Sequence, residues 1–296
     1  MKKIKRALIS VWDKSNLDEL VKFLTNEGIQ IISTGGTMDY LKKNGYKVES
    51  ISSITKNKQI MNGRVKTLHP KIFGGILADR DNTTHLDDLS SIDATLIDLV
   101  IINLYPFKEQ AIDKKISLKK AIEYIDIGGP SMLRAAAKNF EYVIPIAKIE
   151  DYANFINLYK KNKGIFSIDE RKEFAAKIFQ VTNKYDSLIY TYLNNKSKQD
   201  PKQINFTLDK IDTLRYGENP HQEASYYLPK NEKIIWSQLN GKKLSYNNYF
   251  DIETAISMVY EFKEKSCCII KHANPCGFAI GKSLKSAYLN AVQTDP

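Results

Sequence analysis

Histidine and cysteine are both scarce in this chain of 296 residues, with four of the first and three of the second. Cys267 and Cys268 are adjacent and Cys276 follows eight residues later. That spacing suits no tetrahedral zinc site, and an odd count builds no disulfide framework. Reduced, non-ligand thiols are expected, and with them a cytoplasmic protein. No apolar run approaches the ~18 residues of a membrane span. The basic start, Lys2 to Arg6, is followed only by the short apolar stretch Ala7–Val11, which Trp12-Asp13-Lys14 cuts off, so a signal peptide is excluded. Runs of five or more basic residues are also missing. The net charge of +10 therefore reads as dispersed lysine on solvated faces, or as a field for small phosphorylated ligands, in preference to a nucleic-acid track.

What is present suits a globular chain of two domains. Strand and helix signals alternate over the first 150 residues. Ala7–Val11 predicts a buried strand. Asn16 is placed to cap a helix with apolar positions Leu17, Leu20, Val21 and Leu24, closed by Gly28. Ile29–Ser33 predicts a second strand, followed by Thr34-Gly35-Gly36-Thr37 and a helix to Asn44. Strands follow at Tyr46–Ile51, Leu96–Leu104 and Tyr142–Ile146, with helices from Ser117 and over Ser131–Asn139 after Gly128-Gly129-Pro130. This alternation implies a mostly parallel α/β sheet covered on both faces. Ser167-Ile168-Asp169-Glu170 matches a capping box opening a long helix to about Asn194. The apolar-free stretch after it predicts a first domain over 1–195, a linker over 196–201 and a second domain over 202–296. The second reads as the N-terminal part of a longer domain, with a helix near Asp251–Lys265, a strand at Ser266–Ile270 and a helix at Lys282–Val292.

Three of the four histidines lie in polar clusters: Arg64–Pro70, Arg215–Gln222 and Lys271–Gly277, while His85 lies in a loop-like stretch. Two separate sites for anions and protons are expected. Thr34–Thr37 follows a strand and opens a helix, where glycine N–H groups and the helix dipole attract an anion. Ser10, Asn103 and Tyr105 fall at or just past strand ends, where open α/β sheets bind ligands. Arg64 and Lys66 with Thr67 suit a phosphate or an oxyanion; taken alone, they suit a solvated loop equally well. Asp126 before Ile127-Gly128-Gly129 and Lys138 beyond it can tune each other's ionisation, or form an ordinary helix-terminal pair. Small Ala135, Ala136 and Ala137 leave room for a ligand beside Lys138.

These segments together carry a resemblance. Ser10–Lys14, Ser33–Thr37, Gly63–Pro70, Asn103–Phe107, Ile125–Pro130 and Arg134–Asn139 resemble the inosine monophosphate cyclohydrolase domain of the bifunctional purine biosynthesis family PurH. Arg215–Gln222, Leu244–Asn248 and Lys271–Gly277 resemble the start of its AICAR (aminoimidazole carboxamide ribonucleotide) formyltransferase domain. The resemblance implies a methylglyoxal-synthase-like fold, then the start of a cytidine-deaminase-like fold without zinc. It implies formyl transfer from 10-formyltetrahydrofolate to AICAR in the complete protein, and cofactor-free closure of formyl-AICAR to inosine monophosphate. Ser10, Asp13, Lys14, Thr34, Gly35, Gly36, Thr37, Arg64, Val65 and Thr67 would bind the nucleotide, and Ile102, Asn103 and Ile127 would border its base. Lys138 would move the proton in ring closure, helped by Lys66, Tyr105 and Asp126. Arg215 and Tyr216 would hold AICAR, with His272 as acid/base and Lys271 as stabiliser.

The family's folate-binding residues would lie beyond this chain, leaving formyl transfer inactive in it. A homodimer is implied, and neither nucleic acid nor membrane as partner. Trp12, Phe73 and Phe140 depart from the family pattern, Trp12 at a position usually small. A non-catalytic nucleotide-binding module on the same fold is the main rival. A nucleic-acid binder and a phosphate-eliminating lyase are two others.

Overall fold

A computed structural model describes residues 3–57, 60–61, 64–194, 206–229 and 232–294. The chain divides into two compact units, residues 1–202 and 203–296. Gly63, the expected linker 196–201 and the terminal Asp295-Pro296 lie outside the described residues.

The first unit runs β1 (Arg6–Val11), α1 (Leu17–Asn26), β2 (Gln30–Ser33), α2 (Gly35–Lys43), β3 (Val48–Ser50), α3 (Ile51–Thr55), α4 (Pro70–Leu77), α5 (Thr83–Ser91), β4 (Leu99–Asn103), α6 (Leu118–Ala121), α7 (Gly128–Lys138), β5 (Ile144–Ile146), α8 (Asp151–Lys161) and α9 (Ile168–Asn194). All five strands pair in parallel, in the order β3-β2-β1-β4-β5. The strands read as apolar runs because both faces of the sheet are covered. Ala7, Ile9, Ile31, Leu99 and Ile101 pack on one face with α1 and with Tyr152, Phe155 and Tyr159 of α8. Leu8, Ile32, Val100 and Ile102 pack on the other with Ile72 and Ile76 of α4, Met132 and Leu133 of α7, and Ile178 of α9.

The expected α/β class and parallel sheet are present, and local chemistry explains where details differ. Asn16 precedes α1 but is left-handed, at φ 58, and its side chain caps nothing. Gly28 does close α1 in the left-handed region, at φ 72. α7 begins at Gly128, three residues before the expected start, so Pro130 falls inside its first turn, where a missing N–H costs nothing. The Ser167–Glu170 capping box is formed: Ser167 N–H donates to Glu170 Oε2 at 2.7 Å and Glu170 N–H to Ser167 Oγ at 3.2 Å. His85 is helical, within α5, and its Nδ1 accepts from Asp79 N–H. Helices α3, α4, α5 and α8 were not anticipated, and Ile51, expected as strand, opens α3.

The second unit pairs β6 (Leu208–Thr213) with β7 (Ser225–Pro229) and β8 (Lys265–Lys271) with β9 (Asn274–Gly281), each antiparallel. Its helices are α10 (Tyr246–Tyr260) and α11 (Leu284–Val292). α10 starts five residues before the expected Asp251, because Ser245 and Asn248 form a reciprocal cap. Asn274–Gly277, expected as a turn, is strand; the turn is His272-Ala273.

At the amino edge of the parallel sheet, Asp98 holds the ends of β1 and β4 together. Its Oδ2 accepts from Lys5 N–H at 2.7 Å and Arg6 N–H at 2.8 Å. Its Oδ1 meets Arg80 Nη1 at 2.6 Å, with both side chains buried. Removing one partner of a buried pair leaves an uncompensated charge, so Asp98→Ala is expected to cost about 3–5 kcal/mol. A lower urea midpoint at unchanged slope would show it; a midpoint equal to that of the unaltered chain would refute it.

Candidate active site

The carboxyl ends of β1, β2 and β4 open onto a cleft of about 670 Å³, a volume suited to a small-molecule ligand. The strand order places it at the topological switch point, since the chain leaves β1 and β4 toward opposite faces. Of the expected residues, Ser10, Lys14, Thr34, Gly35, Gly36, Thr37, Arg64, Lys66, Thr67, Ile102, Asn103, Tyr105, Asp126 and Ile127 all line it.

α2 aims its N-terminus into the cleft. Thr34 is extended and does not cap the helix with its side chain, so the first-turn N–H groups of Gly35 and Gly36 are available to an anion. Thr37 is fixed beneath them: its Oγ1 accepts from Val11 N–H and donates to Val11 O, both at 2.9 Å. Gly35 is required twice over. Its φ is +53, and a Cβ there would stand 2.5 Å from Lys66 Nζ. The Lys66 ammonium thus rests directly over the first turn of α2. Burial pushes its pKa below the ordinary 10.5, partly opposed by Asp39.

Across the cleft stand Asp126 and Tyr105. Gly129 N–H donates to Asp126 Oδ1 at 2.9 Å, and a Cβ on Gly129 would collide with that carboxylate. Burial raises the Asp126 carboxyl above its usual 3.8, against the lowering effect of the N–H groups of Gly129 and Tyr105. The Tyr105 phenol is raised above 10.0, first by withdrawal from water and then by the Asp126 charge. Asp126 N–H in turn donates to Tyr185 Oη at 2.8 Å, which fixes the segment to α9.

Asn103, the last residue of β4, fastens the loop that leaves β1. Its Oδ1 accepts from Trp12 N–H at 2.5 Å and Asp13 N–H at 3.0 Å, and its Nδ2 donates to Asp13 O at 2.9 Å. Lys14 Nζ donates to Val11 O and Trp12 O. Asp13 is spent on its own loop, accepting from Ser15 N–H and Oγ, and does not line the cleft. Val65 bridges Ile60 and faces elsewhere.

Lys138 is not brought to this cleft. It is exposed and ends α7, ten residues from Gly128, or about 15 Å at the α-helical rise. The alanines before it, expected to admit a ligand, are buried in the core. His69 caps α4 by accepting Lys71 N–H on Nδ1. Phe73 and Phe140 pack against the core beneath α4 and α7 and do not line the cleft. Unanticipated lining residues are Trp12, Met132 and Glu123. Glu123 pairs with Arg64 at the exposed rim; no periodicity in the sequence marks it.

The second unit gathers its expected residues less tightly. Arg215 lies over the Tyr216 ring, 4.7 Å from its centroid, and donates to its hydroxyl at 3.0 Å. Lys271 and His272 are exposed on the β8–β9 turn. His272 and Ala273 both adopt positive φ, 53 and 56, the geometry of a tight primed turn and a costly one without glycine. Asp251 of α10, unmarked in the sequence, anchors this turn by accepting Ala273 N–H at 2.7 Å.

Known proteins are similar to this chain. Residues 16–131 match the model of the MGS-like domain, and residues 136–296 match that of the AICARFT/IMPCHase bienzyme. Among curated relatives, the chain is 46% identical over 299 residues to the bifunctional purine biosynthesis protein PurH of Clostridium kluyveri. It is 47% identical over 297 residues to that of Bacillus subtilis. Each match takes in 99% of this chain and 58% of the relative, so the chain spans little more than half their length. The crystal structure of ForH aligns with a TM-score of 0.58 at 32% identity, over 66% of this chain and all of that one. The chain therefore belongs to the AICARFT/IMPCHase bienzyme family, with an MGS-like domain at the carboxyl edge of whose parallel sheet the cleft lies.

Proposed function

We propose that the first unit closes formyl-AICAR to inosine monophosphate in purine biosynthesis. The observation that carries this is the convergence of Lys66, Tyr105 and Asp126 on one cleft beside the N-terminus of α2. The substrate phosphate sits on the N–H groups of Gly35 and Gly36, with Arg64 and Thr67 as further donors. The base lies between Ile102, Asn103 and Ile127. Ring closure joins the carboxamide nitrogen to the formyl carbon within one molecule, so held orientation supplies much of the rate. The formyl oxygen gains charge as the bond forms, and the Lys66 ammonium and Tyr105 hydroxyl stabilise it. The Asp126 carboxylate takes one proton from the attacking carboxamide nitrogen and passes it to the formyl oxygen; the second proton of the departing water comes from the formamido nitrogen, as the C–O bond breaks and the ring C=N bond forms. Closure itself needs no cofactor.

We assign the domains as 1–195 and 202–296, joined by 196–201. For the whole protein we propose formyl transfer from 10-formyltetrahydrofolate to AICAR as well, with Lys271, His272, Arg215 and Tyr216 in the second domain. The exposure of Lys271 and His272 supports weak or no transfer by these residues alone. We further propose that it self-associates and works in the cytoplasm; its three cysteines are free, and no described helix is long and apolar enough to cross a membrane.

Lys66→Met is expected to lower cyclisation about 10²–10³-fold, the usual loss for one oxyanion donor, while inosine monophosphate still binds. Lys138 does not line the cleft, so Lys138→Ala should stay within about twofold of the unaltered chain; a large loss would restore the role that the resemblance gives it. Absorbance of formyl-AICAR follows both. Full turnover by Lys66→Met would remove the role given to Lys66, and no turnover by the unaltered chain would favour a non-catalytic nucleotide module.

Asp126→Asn tests the acid/base assignment through stability as well as rate. A carboxyl whose folded-state pKa is raised destabilises the fold once ionised. The variant is therefore expected to be inactive yet to melt higher at neutral pH. The gain should be full above the raised folded-state pKa and disappear below the unfolded value of 3.8. A variant that melts lower at neutral pH would refute the assignment.

A further inference from the structure

Trp12 lines the cleft and has no place in the chemistry above. Its backbone is fastened on both sides: Asn103 Oδ1 takes its N–H at 2.5 Å and Lys14 Nζ reaches its carbonyl at 2.7 Å. A large apolar side chain so anchored, yet 42% exposed, is held for contact and not for folding. Its ring meets the Tyr105 ring edge to face, with centroids 5.2 Å apart and planes at 69°. That is a favoured geometry for an aromatic pair. Tyr105 is itself 42% exposed and follows β4 by two residues. Beyond Trp12, the structure gives its ring no other aromatic contact among the described residues. We propose that Trp12 is a positioning residue that holds the Tyr105 hydroxyl at the reacting atoms; this rests on the cyclisation reading above. The loop from β1 and the end of β4 then form one unit: Asn103 sets the backbone of Trp12, and Trp12 sets the ring two residues beyond Asn103.

The test compares Trp12→Ser, Trp12→Phe, Tyr105→Phe and the Trp12→Ser/Tyr105→Phe double variant in cyclisation and in inosine monophosphate binding. Trp12→Ser is expected to lower kcat about tenfold by misplacing a reacting group, with KM and nucleotide affinity moving far less. Trp12→Phe keeps the ring contact and should restore most of kcat. Added to Tyr105→Phe, Trp12→Ser should cost less than about twofold further, because coupled residues do not add. Independent, multiplying losses overturn the proposal. So does a loss confined to affinity, which makes the indole a direct substrate contact.

A second readout does not depend on activity. The chain has two tryptophans, so Trp236→Phe leaves Trp12 as its sole indole. Its emission should then change on Tyr105→Ala, which removes the ring that it meets. If the unaltered chain forms no inosine monophosphate, the functional reading fails, and the emission alone decides the contact: unchanged emission overturns it.

Discussion

The cleft depends on the Asn103 side chain. β1 and β4 are adjacent and parallel, with Val11 opposite Asn103. The chain leaving β1 turns to α1 on one face, and the chain leaving β4 leads to α7 on the other. That divergence opens a crevice, and it also leaves two loops free to part. Asn103 spans the fork with three hydrogen bonds to the backbone of Trp12 and Asp13. An amide suits the task because it both accepts and donates, which neither a carboxylate nor an ammonium does. The loop held this way carries Lys14 and Trp12 into the cleft.

Withdrawal from water then acts on three titratable groups placed there. It moves Lys66 down, Asp126 up and Tyr105 up, each toward its neutral form. Groups poised in this way exchange protons more readily than fully solvated ones. Two glycines make the approach possible. Gly35 leaves space for the Lys66 ammonium, and Gly129 for the Asp126 carboxylate. Side chains there would push the charges back toward solvent, where their pKa values would relax.

Much of this was legible in the sequence. Apolar runs bounded by turn residues located the five strands, and residues just past them proved to line the cleft, because parallel strands deliver all their carboxyl ends to one side. Lys138 ends α7 outside the lining of the cleft, and the small alanines before it pack in the core. α8 carries Tyr152, Phe155, Ile156 and Tyr159 at helical spacing, so its pattern was present and unread. Glu123 and Asp251 lay out of reach, since their partners, Arg64 and Ala273, are set by tertiary approach alone.

The two edges of the sheet divide the work. At the amino edge, Asp98 satisfies two strand-starting N–H groups and the buried Arg80 guanidinium at once, so charge there is matched and hydrogen-bonded. At the carboxyl edge, helix N–H groups lack side-chain caps and Lys66, Tyr105 and Asp126 are held partly out of water. Matched charge holds a fold together, and unmatched donors attract a ligand. A bound phosphate would satisfy the N-terminus of α2 and add stability by mass action. The strongly paired amino edge leaves the carboxyl edge free to keep its donors for a ligand.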